Sequence, residues 1–104
     1  MTADEVFDDI VDDDLAGRGV SAGKMFGARA IMLDGKAICC LKRAEFGVKL
    51  GAGSAAHEKA LALPEAVLFD PAGKGRPFKD WVALPASQSE HWPTLAQAAV
   101  QAAH

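Results

Sequence analysis

The stretch KMFGARAIMLDGKAICCLKRAEFGVKL, residues 24–50, decides the fold of this chain. An Asp34-Gly35 step lies between two apolar runs, and this arrangement is the strongest short-range signal for a tight β-hairpin. A second turn at 42–45 leads from the hairpin into another apolar run, so the stretch predicts a three-stranded antiparallel meander. Its strands are expected at residues 30–33, 37–41 and 46–50.

The flanking residues extend this pattern towards the N-terminus. Met25 to Gly27 are expected to enter the first strand, with Gly27 at a bulge or a close backbone approach. Farther upstream, apolar residues recur at helical spacing and predict a helix over residues 4–15, with Thr2 or Asp4 as its N-cap.

The rest of the chain completes an α+β pattern. Residues 51–65 read as a glycine-rich turn and a short helix capped by Ser54, and a C-terminal helix is expected from about Ser87. Two further strands are predicted at residues 66–69 and 81–84. The predicted fold class is α+β, a two-layer domain spanning residues 1–104. Its mainly antiparallel five-stranded sheet carries helices on one face, in the order α-β-β-β-α-β-β-α.

Bulk composition limits the protein class. Half of the 104 residues are apolar and 24% are charged, as in an ordinary globular domain. No apolar run approaches the roughly 20 residues that span a bilayer. The N-terminus is acidic, whereas a secretory signal is basic and then apolar. We therefore expect a cytoplasmic protein that makes no membrane contact.

Charge is distributed unevenly along the chain. Seven of the 14 acidic residues fall within residues 4–14, and all 11 cations lie between Arg18 and Lys79. A general phosphate-backbone binder normally presents a basic face that neighbouring acids do not compensate. Direct DNA binding is therefore not expected.

The usual nucleotide, metal and catalytic motifs are missing from the sequence. Gly51-Ala52-Gly53 gives only the first half of a dinucleotide fingerprint, and neither Gly23-Lys24 nor Gly73-Lys74 has the upstream glycine of a Walker A loop. The three histidines show no metal-ligand spacing. The sequence predicts no cofactor, no metal and no catalytic residue.

Cys39 and Cys40 are adjacent, which makes them a poor pair for a structural disulfide. On a strand their side chains point to opposite faces, so one thiol is expected to be buried and the other exposed or covered by a helix. Small apolar roles in the sheet are the simplest interpretation. A reactive thiol is the alternative, and it requires a cation such as Lys42 or Arg43 to lower its pKa.

The segment FDPAGKGRPFKDW, residues 69–81, holds the candidate site residues Lys74, Arg76 and Lys79. Gly73 and Gly75 permit unusual backbone angles, so exposed amides beside these cations can form an anion nest. The same cations also suit contact with a protein partner. The plainer alternative is a flexible connection between two strands.

The chain resembles the N-terminal domain family of TfoX. The similarity is carried by Met25-Phe26-Gly27, Leu33-Asp34-Gly35-Lys36, Val48-Lys49 and Gly73-Lys74-Gly75-Arg76-Pro77, with Trp81 and Leu84-Pro85 behind them. Together with the flanking helices, the resemblance covers nearly the whole chain. It implies a two-layer α+β fold like that of secretion chaperones. It also implies a link to transcriptional or competence regulation, which the longer relatives perform with a second domain. It supplies no catalytic residue.

Three functions follow as hypotheses. The first is a non-enzymatic regulatory or adaptor module that contacts a protein partner and forms a homodimer, because one face of the sheet otherwise needs cover. The second is a domain that binds a small anionic ligand with the loop at residues 73–79. The third is an enzyme that uses Cys39 or Cys40.

Overall fold

Residues 2–25 and 27–103, which the computed structural model describes, form a six-stranded antiparallel sheet and three α-helices. The α+β class is therefore confirmed. The elements are, in chain order, α1 (Ala3–Asp9), a π-helical turn (Ile10–Asp14), β1 (Val20–Met25), β2 (Ala28–Leu33), β3 (Lys36–Lys42), β4 (Glu45–Lys49), α2 (Ala55–Leu61), β5 (Val67–Phe69), β6 (Phe78–Leu84), a 3-10 turn (Ala86–His91) and α3 (Trp92–Ala102).

The predicted count of five strands is wrong, because β1 pairs antiparallel with β2 at the edge of the sheet. The spatial order is β1-β2-β3-β4-β6-β5, and the chain order is α-β-β-β-β-α-β-β-α. The sequence of β1, VSAGKM, holds residues that strands do not favour, so its pairing with β2 rather than its own propensity makes it a strand.

Met25 and Gly27 do not enter β2 as predicted. Met25 ends β1, and Gly27 has a φ of 70° in the turn that follows. A Cβ atom placed on Gly27 would meet nothing within 4 Å, so its role is to turn the chain and not to admit a close neighbour. Phe26 lies outside the described residues.

The helix starts follow the capping rules. Thr2 and Glu5 form a reciprocal capping box at the start of α1, and these hydrogen bonds with Thr2 lower the pKa of Glu5. Ser54 caps α2 by accepting a hydrogen bond from the backbone N–H of His57 at 3.1 Å. The first helix is shorter than the predicted 4–15, because the segment after Asp9 continues as the π-helical turn.

The larger core lies between the sheet and the helices. All three helices contribute side chains to it, and its centre is an aromatic group of Phe7, Phe46 and Trp92. The Phe46 and Trp92 rings stack with centroids 5.0 Å apart, and Phe7 meets Phe46 edge-on at 6.3 Å. This core fixes the helix layer on one face of the sheet.

A smaller cluster lies on the opposite face of the sheet. It consists of the buried residues Cys40, Phe69, Trp81 and Ala83, and none of its members among the described residues comes from a helix. Cys39 belongs to the larger core, so the two thiols point to opposite faces as expected. Both are fully buried: Cys39 is covered by the helices, as one of the expected alternatives has it, and Cys40 lies in the smaller cluster rather than exposed to solvent.

Within the described ranges, none of the helices has the length and apolar character that crossing a membrane requires.

Candidate functional site

The connection between β5 and β6, residues 70–77, begins directly after Phe69, whose ring packs on the helix-free face of the sheet. In the β5–β6 ladder, Leu68 pairs with Val82 but Phe69 pairs with Phe78. Residues 79–81 therefore form a bulge in this ladder, which allows the β5–β6 hairpin to bend. The Phe69 ring lies over β4, only 3.1 Å from a Cβ atom placed on Gly47. The sheet face that seemed to need a partner is thus covered at its centre by the chain itself.

A row of small residues makes room for this cover. Cross-strand pairing aligns them over five neighbouring strands in the order Gly23, Ala30, Cys40, Gly47 and Ala83. Larger side chains in the middle of this row would hold Phe69 away from the sheet. Phe69 instead sits low and packs against Trp81, with ring centroids 5.7 Å apart.

The loop amides proposed as an anion nest are already occupied. The carboxylate of Asp70 accepts hydrogen bonds from the backbone N–H groups of Gly73 at 3.1 Å and Gly75 at 2.8 Å. Gly73 and Gly75 both have positive φ, which turns their amides towards that carboxylate. The Asp70 carboxylate therefore occupies the backbone N–H groups that a small anionic ligand was expected to use.

The three candidate cations are all exposed, but they do not share one position. Lys74 and Arg76 lie on the connection itself, whereas Lys79 lies in the bulged part of β6. The backbone carbonyl of Lys79 accepts a hydrogen bond from the His57 ring at 2.8 Å, which ties this bulge to α2.

The structure places a fourth cation, Arg43, near the candidate residues. In the sequence, Arg43 was notable only as a neighbour of the cysteines. Arg43 is exposed in the β3–β4 turn, and its Nη1 lies 3.9 Å from a Cβ atom placed on Gly73. The guanidinium therefore reaches the connection from a turn that is 30 residues away in sequence. We call Arg43, Lys74 and Arg76 the basic surface.

Strain in the β3–β4 turn marks the position of Arg43. Arg43 and Ala44 have φ values of 54° and 62°, as a two-residue type I′ turn requires. The β2–β3 turn has the same sign of φ at Asp34 and Gly35, which tolerate it well. Arg43 and Ala44 lack this tolerance, so the β3–β4 turn carries backbone strain that the β2–β3 turn avoids.

Replacing Ala44 by glycine is expected to raise the free energy of unfolding by about 1 kcal/mol, because glycine adopts the left-handed conformation without the Cβ clash. Gly35→Ala, at the matching position of the β2–β3 turn, is expected to lower it by a similar amount. Urea unfolding of both variants measures these changes. A lower free energy of unfolding for Ala44→Gly would contradict the inferred backbone strain at this position.

A cavity of about 350 Å³ adjoins the basic surface, and Ala28, Arg29, Lys42 and Arg43 are among its lining residues. Arg29 donates to Asp4 at 3.0 Å and also pairs with Asp8, and these hydrogen bonds raise its pKa. Because the two acids compensate Arg29, Arg43 supplies the exposed positive charge that this corner adds to the basic surface.

The other glycine-rich segment, Gly51-Ala52-Gly53, is a structural turn. The Asp80 carbonyl accepts hydrogen bonds from the N–H groups of Leu50 at 2.8 Å and Gly51 at 3.1 Å, and its carboxylate accepts one from Ala52 at 2.8 Å. These contacts dock the turn onto β6, so its amides are engaged within the chain.

The remaining chemical candidates carry little reactivity. Burial raises the pKa of both the Cys39 and the Cys40 thiols, and Lys42 offsets part of the rise for Cys40. Neither side chain is therefore a thiolate at neutral pH. No three metal-ligating side chains come together within residues 2–25 and 27–103.

Comparison with known proteins adds no relative: no family model, no curated protein and no solved structure matches this chain. The resemblance to TfoX N-terminal domains stays a prediction that rests on the quoted residues.

Proposed function

We propose that this protein is a non-enzymatic interaction module that binds an acidic segment of a protein partner through the basic surface. The observation that supports this proposal is the approach of the Arg43 guanidinium to Gly73. It brings the cation of the β3–β4 turn next to the connection that holds Lys74 and Arg76. All three cations are exposed. Arginine and lysine on such a rim steer an acidic partner and fix its register.

The geometry favours a polar contact over a hydrophobic one. Phe69 and Trp81 are no more than 6% exposed, and Val67 is the one large apolar side chain exposed among the described residues. A stable hydrophobic interface needs a much larger apolar patch. The homodimer stays a prediction, and Phe69 and Trp81 already bury the centre of the sheet face that was expected to need cover.

The regulatory part of the proposal comes from the resemblance to TfoX N-terminal domains, as does the likeness to secretion chaperones. A protein partner is preferred to DNA because the basic surface is local, in a chain whose net charge is −3. The Asp70 carboxylate accepts hydrogen bonds from the backbone amides of the connection that a phosphate would use. This weighs against a small anionic ligand at the connection.

A pull-down from host lysate with matched bait proteins tests the proposal. The site variant carries Lys74→Glu and Arg76→Glu, and the control carries Lys24→Glu and Lys59→Glu, two exposed lysines away from the connection. Both variants change the net charge equally. Mass spectrometry is expected to find a protein that wild type and control capture and that the site variant captures at least about tenfold less.

Circular dichroism must show that all baits are folded, and the lysate is treated with nuclease beforehand. Equal capture by the site variant, or no capture by any bait, would contradict the proposal. A partner that appears only without nuclease treatment would move the assignment to nucleic acid.

A further inference from the structure

The segment formed by α1 and the π-helical turn carries negative charge in an unfavourable arrangement. Asp9, Asp12 and Asp13 are exposed, and none of them forms an ion pair within the part of the chain that the structure describes. Carboxylates three and four residues apart repel one another on a helix. They also crowd the C-terminal end of α1, where the helix dipole favours cations.

The chain does not relieve this crowding internally. Its one basic contact to the helix is Arg29, which pairs with Asp4 and Asp8 nearer the N-terminus, among the residues described. Within the described residues Asp12 and Asp13 therefore have no ion-pair partner, and a cation of another molecule can pair with them.

The basic surface has the complementary property. Arg43, Lys74 and Arg76 are exposed cations, and the backbone that presents Arg43 is strained. Both surfaces are exposed, and their charges are opposite in sign. Charge complementarity of this kind selects a partner and its orientation.

We propose that the acidic segment bound by the basic surface is residues 9–13 of a second copy of this chain, so that the protein associates head to tail. This inference rests on the proposed function, because it names the occupant of the same surface. A two-fold axis through the basic surface itself would bring like charges together. Each contact therefore joins the basic surface of one copy to the acidic segment, residues 9–13, of another.

Two neutralising variants test the pairing. One carries Asp12→Asn and Asp13→Asn, and the other carries Lys74→Gln and Arg76→Gln. Neutral substitutions are chosen so that the altered surfaces do not attract each other. Sedimentation velocity is run on wild type at about 20 mM and at about 500 mM salt, because screening over a few ångströms removes an exposed ionic contact.

Wild type is expected to exceed the monomer mass at low salt and to return to it at high salt. Each variant alone is expected to stay monomeric. An equimolar mixture of the two is expected to form a dimer and nothing larger. One variant keeps only its basic surface and the other keeps only its acidic segment, so each pair can form a single contact.

Monomeric wild type at both salt concentrations would overturn the inference, and so would association that survives in either variant alone. A mixture that stays monomeric or grows beyond the dimer would also overturn it. These outcomes are separate from the pull-down: a captured protein lost with Lys74→Glu and Arg76→Glu leaves the proposed function standing even if the chain does not self-associate.

Discussion

Replacing Trp92 by alanine is expected to lower the free energy of unfolding by about 3–5 kcal/mol. Trp92 is fully buried and stacks on Phe46 with an interplanar angle of 17°. Its removal leaves a cavity between α3 and the sheet, which the surrounding side chains fill only in part. A domain of this size has a total stability of about 5–15 kcal/mol, so the loss approaches the whole of it in a weakly stable chain.

Trp92→Phe is the matched control. The indole Nε1 of Trp92 is buried without a hydrogen-bond partner among the described residues, so the native side chain already bears a desolvation cost. Phenylalanine keeps an aromatic ring against Phe46 and removes that unpaired donor. We expect it to cost about 1–2 kcal/mol. Urea unfolding gives both values, and equal losses for the two variants would contradict the role assigned to the stacked rings.

Replacing Gly47 by alanine is expected to lower the free energy of unfolding by about 1–3 kcal/mol, because the added methyl group overpacks the space under Phe69. Three atoms of the Phe69 ring would lie within 3.2 Å of the new Cβ. Phe69 is 4% exposed and is held by Trp81, so it has little room to move.

Gly23→Ala is the control, because Gly23 belongs to the same row of small residues. Its Cβ would lie 2.6 Å from Cγ of Met32, an unbranched side chain that is only partly buried. Met32 must change its χ1 rotamer to move Cγ, which its partly exposed position permits at a cost of about 1 kcal/mol. Alanine suits a strand better than glycine by a similar amount, so the expected change is within about 1 kcal/mol of zero. A loss as large as that of Gly47→Ala would show that the effect does not come from Phe69.

Local sequence signals predicted the parts of the fold that depend on neighbouring residues. Asp34-Gly35 specified its turn because few residue pairs tolerate positive φ at both positions. Ser54 specified the start of α2 because its side chain accepts a backbone N–H three residues on. In both cases the energy that decides the structure comes from within four residues.

The parts that depend on distant residues were missed. β1 is a strand because β2 lies beside it, and a run such as VSAGKM does not reveal that neighbour. The position of Phe69, at the start of the connection, depends on its contact with Gly47, 22 positions earlier. Gly47 in a strand interior was the available signal, because such a glycine often marks the close approach of another group.

The candidate site shows the same limit. Lys74 and Arg76 were visible as cations on a glycine loop, but their association with Arg43 depends on the approach of the β3–β4 turn to Gly73. The internal use of the loop amides by Asp70 depends on two glycines adopting positive φ together, which sequence spacing permits but does not specify.

The two adjacent thiols give this fold a pair of internal reporters. Cys40 lies in the cluster with Phe69 and Trp81, whereas Cys39 lies beneath the helices. An alkylating reagent reaches the first when Phe69 and Trp81 move off the sheet and the second when the helix layer separates from the sheet. Two neighbouring positions therefore distinguish a partial opening from global unfolding.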